Sequence, residues 1–150
     1  MSTLIGAQPR AADPDWTGVL AQVPLFAGLS KRHLRGVAKL ATIRRLPAYT
    51  RIVREGDQAH SFYLMLDGTA VVRPPGKRPV KIGVGDFFGE LALLDDSPRS
   101  ATVEAETEVQ VASIGRTAFL RMVEHEPKVA LILLRTLAAR LRLSEVSTKH

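Results

Sequence analysis

A mainly β fold with flanking helices is predicted for this chain: an antiparallel jelly-roll barrel with N-terminal helices, an inserted helical cassette and C-terminal helices. Three observations predict it. Between residues 43 and 114 the apolar residues fall in short or alternating runs, at 43–46, 51–53, 62–66, 69–73, 79–84, 101–105 and 108–114. Pro47, Gly56, Asp67-Gly68, Pro74-Pro75-Gly76 and Gly85-Asp86 separate the runs, and short, regularly punctuated strands are the mark of sandwiches and barrels. On both flanks the apolar period lengthens to that of a helix. One helical turn near residue 90 interrupts the strands, where an insertion would hold a ligand against the barrel mouth.

In chain order, residues 1–12 are rich in small residues and include Pro9, which predicts a disordered arm. The domain then occupies 13–147, with lead-in helices over 13–42, the barrel over 43–115 and C-terminal helices over 116–147. Trp16 to Ala21 forms a first turn or two. After the N-cap candidate Ser30, Leu34, Val37, Ala38 and Ala41 recur at helical spacing. Beyond the barrel, a turn around Ala118 to Glu124 precedes a long helix from Pro127 to about Ser147, proline suiting its first position.

That last helix is unusually apolar. One stripe runs through Ala130, Leu133, Leu134, Leu137 and Leu141, and another through Val129, Ile132, Thr136, Ala139, Leu143 and Val146. A helix lying on one barrel needs a single apolar face, so the extra stripe must meet a second chain or a ligand. The pattern does not decide which stripe meets which surface. Lys128, Arg135 and Arg142 are expected to face water.

Composition excludes several classes. The 150 residues are one domain's worth, 45% hydrophobic and without cysteine, so disulfides and thiolate metal or iron–sulfur sites are ruled out. No apolar run approaches the roughly 20 residues needed to span a bilayer, and no signal-peptide pattern opens the chain. A soluble, cytoplasmic protein without a membrane partner is the expectation. His33, His60, His125 and His150 have no ligand spacing, and no nucleophile, base and orienter set is visible, so neither a metal centre, a cofactor nor catalysis is expected. The net charge of +6 is concentrated in residues 1–50, with seven Lys/Arg against two Asp. The cluster Lys31, Arg32, Arg35, Lys39, Arg44 and Arg45 could meet nucleic acid or an acidic partner, or form the solvated face of one helix.

The chemistry-bearing stretch is Phe88-Gly89-Glu90-Leu91-Ala92-Leu93-Leu94-Asp95-Asp96-Ser97-Pro98-Arg99-Ser100-Ala101-Thr102-Val103. Arg99 offers a planar, permanently charged fork for a phosphate, which the point charge of a lysine would not. Gly89 lets the backbone approach an anion closely, and the first free N–H groups of the following turn point at it. Glu90 would repel a phosphate at contact distance and serves better as acceptor for a sugar hydroxyl. Taken alone, Gly-Glu followed by Arg is also the pattern of a turn with a surface ion pair.

The whole stretch resembles the phosphate-binding cassette of the cyclic nucleotide-binding domain family, of the form F-G-E-x-A-L-x-x-x-x-P-R-[ASTV]-A-x-V. A second stretch, Ile52 to Gly68, resembles that family's upstream pattern, and Pro24 to Ser30 its helical lead-in. The likeness runs from about Val23 to Ser144 and is of the catabolite activator and cAMP-dependent kinase regulatory subunit type. It implies a cyclic nucleotide as ligand, with Glu90 receiving the ribose 2′-hydroxyl and Arg99 pairing with the cyclic phosphate. Gly89, Leu91 and Ala101 complete the cassette, the amides of Ala92 and Ser100 contact the phosphate, and the Ser100 hydroxyl can add to them. The resemblance implies that Val53, Val72 and Ile82 line the pocket, and that Arg140 and Ser144 reach the nucleotide from the C-terminal helix. Serine at position 100 matches the bacterial activator, which responds to cAMP, whereas threonine there is associated with cGMP; cAMP is favoured and cGMP remains possible.

Such a module would convert ligand binding into movement of its C-terminal helix, which is expected to pair with the same helix of a second copy, Leu137, Leu141 and Ser144 lying near the seam. Transcription factors of the family continue into a helix-turn-helix. Only a few residues follow the long helix here, so binding to DNA is not expected. The rival reading is a ligand-independent interaction module that keeps the fold and serves an unidentified protein partner.

Overall fold

A computed structural model describes residues 14–148, with side chains from 17 to 143. Two helices lead in, α1 (Pro14–Ala21) and α2 (Lys31–Leu40), with a 3-10 turn at Pro24–Phe26 between them. Ser30 caps α2 as its sequence suggests, its hydroxyl accepting from His33 N at 3.3 Å. Eight strands follow: β1 (Ala41–Leu46), β2 (Arg51–Val53), β3 (Ser61–Asp67), β4 (Ala70–Arg73), β5 (Val80–Ile82), β6 (Phe87–Phe88), β7 (Thr102–Ala105) and β8 (Val109–Gly115). The short helix α3 (Glu90–Leu94) sits between β6 and β7, and α4 (Arg116–His125) and α5 (Pro127–Thr148) end the chain. The arm expected at 1–12 lies outside the described residues.

The strands form two four-stranded antiparallel sheets, ordered β1-β8-β3-β6 and β2-β7-β4-β5. The expected jelly roll is therefore an open sandwich and not a closed barrel. The edges at β6 and β5 explain why: two and three residues make too few ladder bonds to join one sheet to the other.

The first sheet is buried on both faces. Phe62, Leu64, Ala112 and Ile114 point to the helices, and Met65, Val109 and Val111 point to the second sheet. Double burial makes β3 read as a nearly continuous apolar run. On the helix side Phe62 stacks on Phe119 at 4.7 Å and meets Phe87 at 5.6 Å, welding α4 and β6 to the centre of the sheet. Gly68 turns the chain from β3 to β4 with φ 81°, where a Cβ would collide with the Glu108 carbonyl.

Helix α5 corrects the two-stripe reading. Its packed face takes Val129 and Leu133, one from each stripe, with Ile132 and Thr136 half-buried beside them. Leu134 and Leu141 of one stripe and Leu143 of the other are exposed. A helix on a curved sheet buries one face about a hundred degrees wide, and that face cuts across both stripes. Arg135 and Arg142 face water as expected, while Lys128 also donates from Nζ to the Gly28 carbonyl at 2.9 Å. Where the sequence suggested a turn around Ala118, α4 is a full helix.

Candidate functional site

Gly89 opens α3 in the left-handed region with φ 91°. No other residue fits: a Cβ there would stand 2.6 Å from Arg99 Nη1 and 3.2 Å from the Ser61 carbonyl. The close approach lets Arg99 reach both carbonyls, Nη1 donating to Gly89 O at 3.0 Å and Nη2 to Ser61 O at 2.6 Å. The Arg99 N–H in turn donates to Asp57 O, and Gly56 N to Arg99 O, each at 2.9 Å, so the arginine is pinned by backbone on both sides. Its guanidinium stands 5.8 Å from the centre of the Tyr63 ring, which itself stacks on Phe88 at 5.1 Å.

Arg99 is only 6% exposed and Glu90 1%. Burial pulls the Arg99 guanidinium below its ordinary pKa, partly offset by Tyr63 and Glu90, but a guanidinium in a protein keeps its charge. Burial also pushes the Glu90 carboxyl above its ordinary 4.5, against the opposing pull of Arg140 first and then of its own backbone hydrogen bond. Glu90 Oε2 accepts from Arg140 Nη1 at 2.8 Å. Its other oxygen, Oε1, is buried with no hydrogen-bond partner among the described residues. Arg140 comes from α5, is about half exposed, lies 5.4 Å from the centre of the Phe87 ring and donates a long 3.4 Å bond to the Phe87 carbonyl.

These groups border a cavity of about 350 Å³, a size that suits a small organic ligand. Its polar end is formed by the cassette, with Gly89, Glu90, Leu91, Ala92, Arg99, Ser100 and Ala101 all lining it. Its apolar wall carries Val53, Val72 and Ile82 from the second sheet. Arg140 lines it from α5, so eleven of the twelve residues singled out from the sequence are brought together. The twelfth, Ser144, has its side chain outside the described residues.

Sequence reasoning missed Val80, Phe87 and Leu143 as lining residues. Phe88 and Val103, which also line the cavity, entered only as the two ends of the cassette motif. Strand β6 is two residues long and has no period to detect. Leu143 was visible only as one more leucine of an apolar helix. Among the described residues no cluster of three His, Cys, Asp or Glu could hold a metal ion, and no helix is long and apolar enough to cross a membrane.

The family model for the cyclic nucleotide-binding domain matches residues 43–126. The cAMP-dependent protein kinase regulatory subunit of Colletotrichum orbiculare is 43% identical over 105 residues, which cover 69% of this chain and 27% of that protein. The chain thus spans about a quarter of the curated relatives it matches. A solved kinase regulatory domain, described as Sp-2Cl-cAMPS bound to PKAR CBD2, superposes with a TM-score of 0.78 at 28% identity, covering 89% of this chain and 90% of that one. The catabolite activator protein of Thermus thermophilus superposes at 0.75 with 29% identity, over 84% of this chain and 62% of its own.

Proposed function

The chain belongs to the cyclic nucleotide-binding domain family, and from that premise we propose that it is a regulatory module that binds cAMP and passes the event to its C-terminal helix. One observation carries the reading. A buried carboxylate oxygen with no partner costs about 1–3 kcal/mol, and Glu90 Oε1 is such an atom in a cavity wall beside a buried cation. A ligand that donates a hydroxyl to Glu90 and presents a phosphate to Arg99 relieves the first and uses the second. The ribose 2′-hydroxyl and cyclic phosphate of a cyclic nucleotide are that pair. Two carbonyls engage Arg99, and its five N–H donors leave further ones for phosphate oxygens. Ser100 adds its amide and hydroxyl. The apolar wall of Val53, Val72 and Ile82 takes the sugar and base.

The link to α5 follows from the two oxygens of one carboxylate. Arg140 takes Oε2 and the ligand hydroxyl takes Oε1, so each favours the ionised form that the other needs, and ligand strengthens the hold of Arg140 and the end of α5 on the cavity. The exposed Leu131, Leu134 and Leu141 on the outer side of that helix supply an apolar seam for a homodimer. Whatever protein the helix signals to is the downstream partner.

Calorimetric titration with cAMP, cGMP and 2′-deoxy-cAMP tests the reading. cAMP should bind tightest, cGMP more weakly, and the 2′-deoxy analogue on the order of tenfold more weakly than cAMP. Absence of binding by any of the three would return the chain to a ligand-independent interaction module. Sedimentation at rising concentration, with and without cAMP, tests the dimer.

A further inference from the structure

We propose that the groove between α2 and α4 is a docking site for an acidic segment of another protein that carries an apolar anchor. The groove shares no residue with the cyclic nucleotide cavity. It is a shallow, open groove of about 290 Å³, bordered by Arg32 and His33 of α2 and by Arg121 and His125 of α4. Val37, Leu40 and Met122 give it an apolar floor. Leu40, 41% exposed, supplies the accessible apolar surface, while Val37 and Met122 beneath it are buried.

The charge is one-sided. The carboxylate lining the groove, Glu126, is engaged by His33 Nδ1 at 2.9 Å. No ion pair reaches Arg32 or Arg121 among the described residues, and Lys31, Arg35 and Lys39 on the same helix α2 are likewise exposed without one. Exposed cations around an apolar floor complement a carboxylate-rich chain that buries one side chain among them.

A second observation is independent of charge. Gly36 lies in the middle of α2 and lines the groove. A Cβ at that position would meet nothing within 4 Å, so the fold's own packing does not ask for glycine. Glycine inside a helix costs about 0.5–1 kcal/mol relative to alanine, yet it stands where it keeps the groove floor low enough for another backbone to approach. A nucleic acid would meet the cations, but Val37, Leu40 and Met122 offer its phosphates nothing. The apolar floor therefore selects a peptide.

The test pans a phage-displayed library of random short peptides on the whole chain, then measures the enriched peptide by fluorescence anisotropy. Enriched sequences should combine Asp or Glu with a large apolar residue. Gly36→Leu fills the floor and should abolish binding with no loss of melting temperature, since leucine is the better helix former. The double variant Arg32→Glu, Arg121→Glu should weaken binding on the order of tenfold or more, and raised salt should do the same to the unaltered protein. No enrichment, enrichment without acidic residues, or equal binding to Gly36→Leu overturns the proposal. Retention of a labelled single-stranded oligonucleotide that the same two variants lose would overturn it in favour of nucleic acid. Circular dichroism melts of every variant keep a folding defect apart from a lost site, and none of these readouts depends on cAMP.

Discussion

The two ends of the cavity are built by opposite rules. At the cassette end, Glu90 and Arg99 are 1% and 6% exposed, and Arg99 is fixed by two backbone carbonyls, a neighbouring ring and the close approach of Gly89. At the other end, Val80 and Leu143 line the same cavity while 54% and 69% exposed. A preorganised end holds the ligand groups that do not vary, because charge recognition fails if its donors must first be assembled. An open, apolar end is completed only when something covers it, so it can move.

Arg99→Ala should show the largest effect. Removing one partner of a buried charge pair costs about 2–5 kcal/mol, so calorimetry with cAMP should show binding lost or weakened by two orders of magnitude or more. The backbone bonds made by the main chain of Arg99 remain, so the far-ultraviolet spectrum should keep its β signature. Undiminished affinity in a folded Arg99→Ala protein would remove the cassette end from the comparison altogether.

Glu90→Gln comes next and has two readouts. Binding of cAMP should weaken by about 1.5–3 kcal/mol, the range for a hydrogen bond to a charged group, and 2′-deoxy-cAMP should lose little further affinity in that background. Fully additive losses would mean that the hydroxyl goes elsewhere. The second readout is stability without nucleotide. The Glu90 pKa is raised by burial, so the folded state holds its proton more tightly than the unfolded one. The contribution of Glu90 to stability is then fully present below pH 4.5 and falls as pH rises from there through the raised native value. Glu90→Gln has no proton to lose, so its melting temperature should exceed that of the unaltered protein at pH 7, by about 2–4 °C for 1 kcal/mol, with the gap closing towards pH 4. An unaltered protein whose stability rises over that window relative to the variant would contradict the direction.

The smallest effects on affinity should come from Leu143 at the open end and from the Ser100 hydroxyl. Leu143→Ala removes apolar area that is mostly exposed until a ligand covers it, and should weaken cAMP by about 1 kcal/mol or less, in the binding titration and not in the melt. Back at the cassette end, Ser100→Ala removes one neutral hydrogen bond, again about 1 kcal/mol, from cAMP and cGMP alike. A loss confined to cGMP would place the hydroxyl on the guanine and reverse the preference for cAMP.

What could be read from the sequence divides along the same line. The cassette end was legible because its chemistry is local: Gly89, Glu90, Arg99 and Ser100 lie within one short stretch, and glycine, carboxylate and guanidinium leave few other uses for such spacing. The strands were legible wherever a turn residue punctuated them, and β3 and β8 also because burial on both faces makes them strongly apolar. The open end was not legible, because it is assembled from residues far apart in the chain. Val80 sits on a three-residue edge strand and Leu143 on a helix whose buried face mixes both apolar stripes. Periodicity reports that a helix is amphipathic, but the angle at which it crosses a sheet is set by tertiary packing.

Arg140 joins the two ends, and its removal makes the subtlest test. The Arg140–Glu90 bond is short at 2.8 Å, but the arginine is about half exposed, so solvent screens it and its contribution to stability is about 1 kcal/mol or less. Arg140→Gln should therefore shift the melt little and weaken cAMP only a few-fold. Its effect should appear in the response of α5. In the unaltered protein, cAMP should slow hydrogen exchange of the amides around Ala138 to Leu143, because the carboxylate that gains a ligand hydroxyl on one oxygen holds Arg140 on the other. With glutamine at 140 the nucleotide should still protect the cassette amides and leave those of the helix end unprotected. Equal protection of the helix in both proteins would assign the coupling to apolar closure through Leu143 alone, and Leu143→Ala would then be the variant that loses it.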